Sequence, residues 1–260
     1  PFDEGSAIGD AGIGPDVERF QMEYNRVDTT TSTANDSLVT NKLDDWAYGW
    51  NAGILWEIAN NTRIGASYHA KITHHIVGNS RFSGTGTNST RAKSDVYLPP
   101  LTVVSVYHDF NSYFAMMSTI SYTQWTKFGA LTLNNVAGVS SPTTVTLQDE
   151  MQNAWRFVLG AHYQFTHQFT LRGAVGYDKS PTNDKTRDIF IPDASQYIVA
   201  LGLGYEINQT FSLDLGYSHA FASHASVNHT QTYGATTITD IGNLQQNTDM
   251  IGLQLNWLMT

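Results

Sequence analysis

The most constraining feature of this sequence is a strict alternation of apolar residues at every second position from Tyr197 to Ile207. After a short interruption the same alternation resumes at Phe211 and continues through Tyr217. A period of two places apolar side chains on one face of an extended strand and small or polar ones on the other. Aromatic residues stand at both ends of the apolar face and aliphatic residues between them. This arrangement is typical of strands that cross a bilayer, with Tyr at each boundary.

Comparable alternation recurs along the chain, in segments that short turns join in pairs. It predicts strands over the segments 46–58, 63–73, 101–110, 113–126, 155–165, 169–177, 196–208, 210–224 and 251–257. A tenth strand at 17–26, where Phe20, Met22 and Tyr24 alternate with polar residues, competes with an amphipathic loop helix. Each segment has about the ten-residue length that a tilted strand needs to span a bilayer. We therefore expect an all-β fold, an antiparallel transmembrane β-barrel with nine or ten strands in this chain.

The predicted connections alternate in length, as they do in bacterial barrels. Turns of a few residues join the strands at one end. Long segments rich in Ser, Thr, Asn, Gly and Asp join them at the other end, at 78–98, 128–150, 179–195 and 224–246. Short periplasmic turns and long extracellular loops are the pattern of outer-membrane barrels. A soluble β-sandwich fits any single strand, but a sandwich buries its aromatic residues and does not band them at strand ends.

The composition agrees with a barrel that has a polar lumen. Charged residues make up only 14% of the chain, against roughly 25% in an ordinary soluble domain, yet the mean hydropathy is −0.27. No apolar run approaches the ~18 residues of a transmembrane helix. The net charge of −9 excludes nucleic acid as a partner, because no basic stripe is available to neutralise phosphates.

The sequence shows no constellation for catalysis or metal binding. The chain contains no Cys and nine His. His219, His224 and His229 are five residues apart, so the middle one points to the opposite face of a strand and the set does not converge on a metal. Nucleophile elbows, phosphate loops and paired carboxylates at helical spacing are absent. We expect no catalytic residues, no metal and no cofactor, and therefore a protein that is not an enzyme.

Several motifs along the chain carry a family resemblance. The first is the run from Trp50 to Glu57, followed by Asn61 and Arg63. The others are Leu98-Pro99, Tyr122 with Trp125, Trp155-Arg156, Leu159-Gly160, Gly173 to Asp178, Ser180-Pro181, Arg187 and Ile191-Pro192-Asp193. In order and spacing, from about Asp16 to the C-terminus, they resemble the FadL/TodX family of outer-membrane transporters for long-chain fatty acids and other hydrophobic compounds.

The resemblance implies a fourteen-stranded barrel with an N-terminal plug, the hatch, inside its lumen. It also implies a hydrophobic groove among the outer loops, an internal pocket with basic side chains for a carboxylate, and lateral release through the wall. The chain matches roughly the last nine or ten strands, so the hatch and early strands are expected to be missing. Residues 1–15 are expected to form an irregular leader, a remnant of the hatch, and residues 16–260 the barrel strands with long extracellular loops.

The resemblance also assigns the residues that bind the ligand. The segment from Asp16 to Phe20 matches the motif of the family's pocket arginine, so Arg19 is its counterpart and Phe20 accompanies it. A guanidinium can hold a carboxylate through two parallel hydrogen bonds. The alternative is a lumen-facing Arg19 paired with Glu18 or another acid of the wall.

Other basic residues are weaker candidates. The family's pocket lysine would fall near Leu147 or Gln148, and no lysine is there. Arg156, Arg172 and Lys71 fall on polar strand faces, so we expect them in the lumen, where they are more readily explained as a ladder of charges than as ligand contacts. Arg156 completes the set of candidate ligand-binding residues with Arg19 and Phe20.

We therefore expect passive uptake of long-chain fatty acids or related hydrophobic molecules across the outer membrane of a Gram-negative bacterium. The protein is expected to be a monomer that contacts outer-membrane lipid and lipopolysaccharide. Two alternatives remain open. One is a structural or adhesive barrel without transport, whose narrow lumen would be filled by side chains. The other is a truncated, non-functional fragment of a transporter.

Overall fold

A computed structural model describes residues 8–28, 37–138, 143–148, 151–187, 193–233 and 236–258. These residues form sixteen β-strands and one turn of 3₁₀ helix, Trp125–Lys127. The strands are β1 (Ile8–Asp28), β2 (Ser37–Ala59), β3 (Thr62–His69), β4 (Ile72–Phe82), β5 (Ser89–Leu98), β6 (Leu101–Asn111), β7 (Phe114–Thr123), β8 (Leu131–Val136), β9 (Thr143–Gln148), β10 (Ala154–Gln164), β11 (Phe169–Asp178), β12 (Gln196–Glu206), β13 (Phe211–Ala222), β14 (Ala225–Tyr233), β15 (Thr236–Leu244) and β16 (Asn247–Trp257). In these ranges no helix has the length and apolar character to cross a membrane.

Fourteen of the strands form one antiparallel sheet, which confirms the predicted fold class. Its order is β16-β13-β12-β11-β10-β7-β6-β3-β2-β4-β5-β8-β9, with β1 also paired to β2. The strands β14 and β15 form a separate hairpin. Within the described residues, β1 pairs only with β2 and β16 only with β13, so each has one edge without a partner strand there.

The strands at one side of the sheet are much longer than a bilayer requires. β2 has 23 residues, about twice the length of a typical membrane strand. One edge of β2 pairs with β1 throughout, while its other edge pairs first with β4 and then with β3. β3 and β4 are thus consecutive parts of one long strand. β5 and β6 form another, interrupted at Pro99 and Pro100, which lack the N–H that a ladder needs.

The lower part of the sheet, which we call the wall, turns its apolar side chains outward. It consists of β3, β6, β7, β10, β11, β12, β13, β16 and the parts of β1 and β2 at 8–19 and 46–59. Leu201, at the centre of β12, is 65% exposed, as expected for a side chain that faces lipid. Aromatic pairs lie across neighbouring strands at the two ends of this face. The rings of Tyr177 and Tyr197 are 5.1 Å apart at one end, and those of Phe169 and Tyr205 are 4.7 Å apart at the other. These bands match the predicted aromatic boundaries.

The upper part of the sheet encloses a buried apolar core. This extracellular extension consists of β4, β5, β8, β9 and the parts of β1 and β2 at 20–28 and 37–45; it lies opposite the end with the short turns, which is the periplasmic end in such barrels. Its core contains Val39, Leu43, Ile76, Phe82, Ala92, Val96, Leu131, Leu133, Val136, Ala137 and Val145. Phe20, Met22 and Tyr24 of β1 pack against it. The extension is therefore built like a water-soluble sheet domain.

Three of the four segments predicted as long loops contain strands, so the predicted count of nine or ten strands is too low. The segments 78–98, 128–150 and 224–246 contain the end of β4 with β5, β8 with β9, and β14 with β15. Their apolar alternation is hidden because several buried positions carry small polar residues, such as Ser80, Ser89 and Ser94. The segment 179–195 contains no strand in its described residues.

The N-terminal segment is also more regular than expected. The residues 17–26 belong to β1, so the strand interpretation is right and the loop helix is wrong. Residues 8–15, expected in an irregular leader, continue the same strand and pair with β2. Residues 1–7 lie outside the described part of the chain.

Candidate ligand cavity

An apolar cavity of about 450 Å³ lies between the extracellular extension and the loop at 179–195. Its apolar lining consists of Phe20, Val96, Leu98, Trp125, Phe128, Leu131, Met151, Pro181 and Ala194. Its polar lining consists of Asp178, Lys179, Ser180, Asp193 and Gln196. Ligand sites are commonly concave, mostly apolar and supplied with a few polar groups. The volume lies within the range of roughly 300–1,000 Å³ that holds a small molecule.

The aromatic side of the cavity is held by the 3₁₀ turn that follows β7. The ring centroids of Trp125 and Phe128 are 6.0 Å apart. The Asn153 side chain supports this turn, since its Oδ1 accepts hydrogen bonds from the Thr126 N–H at 3.1 Å and hydroxyl at 2.9 Å. The Asn153 amide donates in turn to the Tyr122 hydroxyl at 2.8 Å. The turn is therefore fixed on the top of the wall, with its aromatic rings against the cavity.

The opposite side of the cavity is formed by a loop that a buried arginine holds together. Arg187 is only 5% exposed. Its Nε donates to the Asp193 carbonyl at 2.7 Å, and its Nη1 donates to the Asp184 carboxylate at 3.0 Å and to the Ser226 carbonyl. The Ser180 hydroxyl donates to the Asp193 carboxylate at 2.5 Å. These residues of the family motifs thus build the loop, and Arg187 ties it to β14.

The polar end of the cavity combines carboxylates with basic groups. Asp178 directly follows Tyr177, which belongs to the aromatic band at one end of the wall. Burial raises its pKa above the ordinary value; the nearby Arg156 opposes this shift and the Asp193 carboxylate adds to it. Arg156 stands opposite Asp178 in the register of β10 and β11. With Lys179 in the lining, this end can bind a polar head group.

The structure brings two of the three predicted site residues to this region. Phe20 lines the cavity, and Arg156 lies beside Asp178. Arg19 lies on the other face of β1, with its Nη2 3.0 Å from the Asp44 carboxylate. Adjacent strand residues point to opposite faces, so an inward Phe20 requires an outward Arg19.

The alternative for Arg19 is right in part: its partner is an acid, but this acid is Asp44 on the outer face and not Glu18. Glu18 points inward, and its carboxylate lies 3.6 Å from Nε2 of the buried His74. The guanidinium of Arg19 instead lies 5.9 Å from the ring centroid of the outward-facing Trp46.

The other basic residues divide between lumen and exterior. Arg172 donates to the Asp214 carboxylate on the lumen face, which agrees with the predicted ladder of charges. Lys71 lies on the outer side, with its Nζ 4.7 Å from the ring centroid of Tyr97, so its predicted lumen position is wrong. Lys179 was missed as a cavity residue, although it directly precedes the motif Ser180-Pro181. Among the described residues, no cluster of three or more His, Cys, Asp or Glu is suited to a metal.

Comparisons with known proteins agree with the strand pattern. A sequence model described as "Outer membrane protein transport protein (OMPP1/FadL/TodX)" matches residues 10–257. The chain is 29% identical over 191 residues to the 47 kDa outer membrane protein of Pasteurella multocida, covering 68% of this chain and 44% of that protein. It is 26% identical over 232 residues to the long-chain fatty acid transport protein of Shigella flexneri, covering 84% of this chain and 50% of that protein. The chain spans about half the length of these curated relatives.

Solved structures share the fold at lower identity. A Pseudomonas aeruginosa FadL homologue superposes with a TM-score of 0.81 at 21% identity, over 96% of this chain and 64% of that one. The Pseudomonas putida toluene transporter TodX gives a TM-score of 0.63 at 13% identity, over 96% and 66% of the two chains. The match to the family over residues 10–257, together with this shared barrel architecture, shows that the chain belongs to the OMPP1/FadL/TodX family of outer-membrane transport proteins.

Proposed function

We propose that this protein mediates passive uptake of long-chain fatty acids or related hydrophobic molecules across the outer membrane. The observation that carries the proposal is the apolar cavity of about 450 Å³ with charged groups at one end. An amphipathic molecule fits such a site with its tail among Phe20, Trp125 and Phe128. Each buried CH₂ contributes about 0.8 kcal/mol, so the tail supplies most of the affinity.

In this proposal, a groove along the lumen face of the wall carries the molecule away from the cavity. A second, wide hollow of about 700 Å³ lies over β1, β2, β3 and β6. Its lining includes Gly12, Gly14, Gly53 and Gly65, whose lack of side chains leaves space next to the wall. A molecule that leaves the cavity can follow this groove. Movement down a gradient of concentration and affinity requires no cofactor and no energy source.

The head group is assigned to Lys179 and Arg156 in this proposal. Lys179 belongs to the cavity lining, and Arg156 lies next to Asp178 at its polar end. Arg19 has no part in it, because its guanidinium pairs with Asp44 on the outer face. The protein acts as a monomer in contact with outer-membrane lipid and lipopolysaccharide.

Binding measurements with an acid and its ester test the proposal. We expect the folded protein to bind oleate and methyl oleate. Lys179→Ala or Arg156→Ala should weaken oleate binding at least tenfold, because a hydrogen bond to a charged group contributes about 1.5–3 kcal/mol. Methyl oleate should change little. Lys185→Ala, on the same loop and exposed, is the matched control. Arg19→Ala should bind both ligands normally.

Uptake decides between transport and the alternatives. Cells that lack their own fatty acid transporter should take up labelled oleate when they produce this chain, and uptake should fall with Phe128→Asp, which places a charge in the cavity. A folded, surface-located protein that neither binds nor admits oleate would favour a structural or adhesive barrel. A chain that fails to fold in detergent, seen as a loss of heat-modifiable migration, would favour a non-functional fragment.

A further inference from the structure

Basic residues gather on the outer face of the extracellular extension. Six of the fourteen Lys and Arg residues of the chain are on this face or at its border. They are Arg19, Lys42, Lys71, Arg81, Arg91 and Lys93. The chain as a whole has a net charge of −9, so composition does not explain a concentration of positive charge here. We call this surface the basic face.

The strand register brings four of these cations together. Lys42 on β2 and Arg81 on β4 lie diagonally across adjacent strands, a relation that places Cβ atoms about 7–8 Å apart. β5 pairs with the other edge of β4, and there Lys93 stands opposite Val77. Arg91 follows two positions away on the same face of β5. Three neighbouring strands, about 4.8 Å apart, therefore present the four positive side chains to the exterior.

Two cations of the basic face have acidic neighbours. Arg19 lies 3.0 Å from the Asp44 carboxylate, and Lys42 lies 3.1 Å from the Glu23 carboxylate. All four side chains are half exposed or more. Exposed ion pairs of this kind are weak, so the two cations remain available to another anion.

Three other cations of the basic face have no acidic neighbour among the described residues. Arg81, Arg91 and Lys93 are exposed, and no carboxylate of the described residues lies within 4.0 Å of their charged nitrogens. Asp95, which shares this face, is engaged by His75 at 2.6 Å. The basic face therefore carries unbalanced positive charge toward its upper edge.

The height of the basic face relative to the membrane is given by β2. Trp46, Tyr48 and Trp50 point outward and form an aromatic girdle, which marks the boundary between hydrocarbon and head groups. Lys42 lies four residues further from the membrane, about 13 Å along the strand. The basic face thus stands at the level of the head groups and just above them, and it faces the surrounding leaflet rather than the lumen.

We propose that the basic face binds the phosphate groups of lipopolysaccharide molecules that surround the protein in the outer leaflet. A guanidinium presents two parallel N–H groups to a phosphate, and an ammonium adds a point charge. Three strands of cations match an anionic surface made of closely spaced phosphates. The basic face is thus the surface that makes the lipopolysaccharide contact included in the proposed function. This assignment rests on the outer-membrane location and not on transport.

Lipid A binding tests this assignment. Folded protein is titrated with diphosphorylated lipid A and, separately, with fully dephosphorylated lipid A. Arg81→Gln/Lys93→Gln should bind the diphosphorylated form at least tenfold more weakly, since each cation near an anionic surface contributes roughly fivefold. Lys127→Gln/Lys185→Gln removes the same charge elsewhere and should bind normally. Both substitutions of the test pair are at exposed positions, and heat-modifiable migration checks that each variant folds.

The outcomes separate lipopolysaccharide from simpler explanations. Equal affinity of wild type and Arg81→Gln/Lys93→Gln, or equal affinity for the two lipid A forms, would overturn the proposal. Full displacement of lipid A by millimolar inorganic phosphate would also overturn it, because the face would then be a general anion site. Oleate binding should be the same in all variants, so a failure here is distinct from a failure of the proposed transport function.

Discussion

The wall and the extracellular extension are parts of the same antiparallel sheet, yet they place their apolar side chains on opposite faces. In the wall, Leu201 points outward and is 65% exposed, while Gly202 faces the lumen. In the extension, Leu43 points inward and is 1% exposed, while Lys42 points outward. The surrounding medium explains the difference. Apolar side chains are stable in direct contact with lipid, whereas in water the hydrophobic effect favours their burial in a core.

The change of face occurs within single strands. Along β2 the buried apolar positions Val39 and Leu43 have odd numbers, and the outward aromatic positions Trp46, Tyr48 and Trp50 have even numbers. The backbone register with β1 continues without interruption across this point. A change in the parity of apolar residues in an unbroken strand therefore locates the membrane boundary, and the ligand cavity lies next to this boundary.

The largest contrast concerns deletions of apolar side chains. Leu43→Ala should lower the free energy of unfolding by about 2–5 kcal/mol, because it leaves a cavity in a packed core. Leu201→Ala should lower it by about 1 kcal/mol or less, since lipid fills the space. Denaturant unfolding in phospholipid bilayers measures both. Equal losses would show that the extension is not packed like a soluble domain.

A charge placed on the wall gives the second contrast. Leu201→Arg should cost about 2–4 kcal/mol, as expected for a cation at the centre of the lipid face. Ser218→Arg, on the lumen face of the neighbouring strand β13, should cost much less because water reaches it. The same unfolding measurement applies. A larger cost for the lumen substitution would reverse the assigned orientation of the wall.

The wall was predictable from the sequence because one side of each strand is uniformly apolar. The extension was not predictable from the sequence, because its buried face mixes Leu133 and Val96 with Ser89 and Ser94. Such a mixture has the sequence pattern of a polar loop.

The cavity was predictable only in part. The alternation that places Phe20 inward already requires an outward Arg19. The prediction of Arg19 in the pocket followed the family motif instead of this alternation. The contribution of Lys179 depends on how Arg187 holds the loop residues 179–187 to Asp193, and no local sequence pattern contains that information.

The loop beside the cavity is expected to depend on its buried arginine. Arg187→Ala removes hydrogen bonds to Asp193, Asp184 and Ser226 and should destabilise the loop by about 1.5–3 kcal/mol, the range for bonds to a charged group. Limited proteolysis should then cut within 179–195, and oleate binding should weaken. Asp184→Asn, which removes only an exposed partner, is the milder control. Unchanged cleavage in Arg187→Ala would contradict the anchoring role.

The smallest effect is a dependence of stability on pH. The pKa of Asp178 is raised from its ordinary value of 3.8, mainly by burial, so the folded state holds this proton more tightly than the unfolded state. The resulting stabilisation is complete below 3.8 and is lost as the pH rises through the raised folded pKa. Urea midpoints across this window should fall more in wild type than in Asp178→Asn. Parallel pH profiles would exclude this contribution.

The central claim is that the cavity between the wall and the extension holds the hydrophobic ligand. Trp125 lines this cavity, so its fluorescence reports occupancy directly. Titration with a brominated fatty acid should quench wild-type protein saturably. Trp125→Phe should lose the saturable component and retain only the gradual quenching of the outward Trp residues. An equal saturable component in Trp125→Phe would place the ligand elsewhere and contradict the claim.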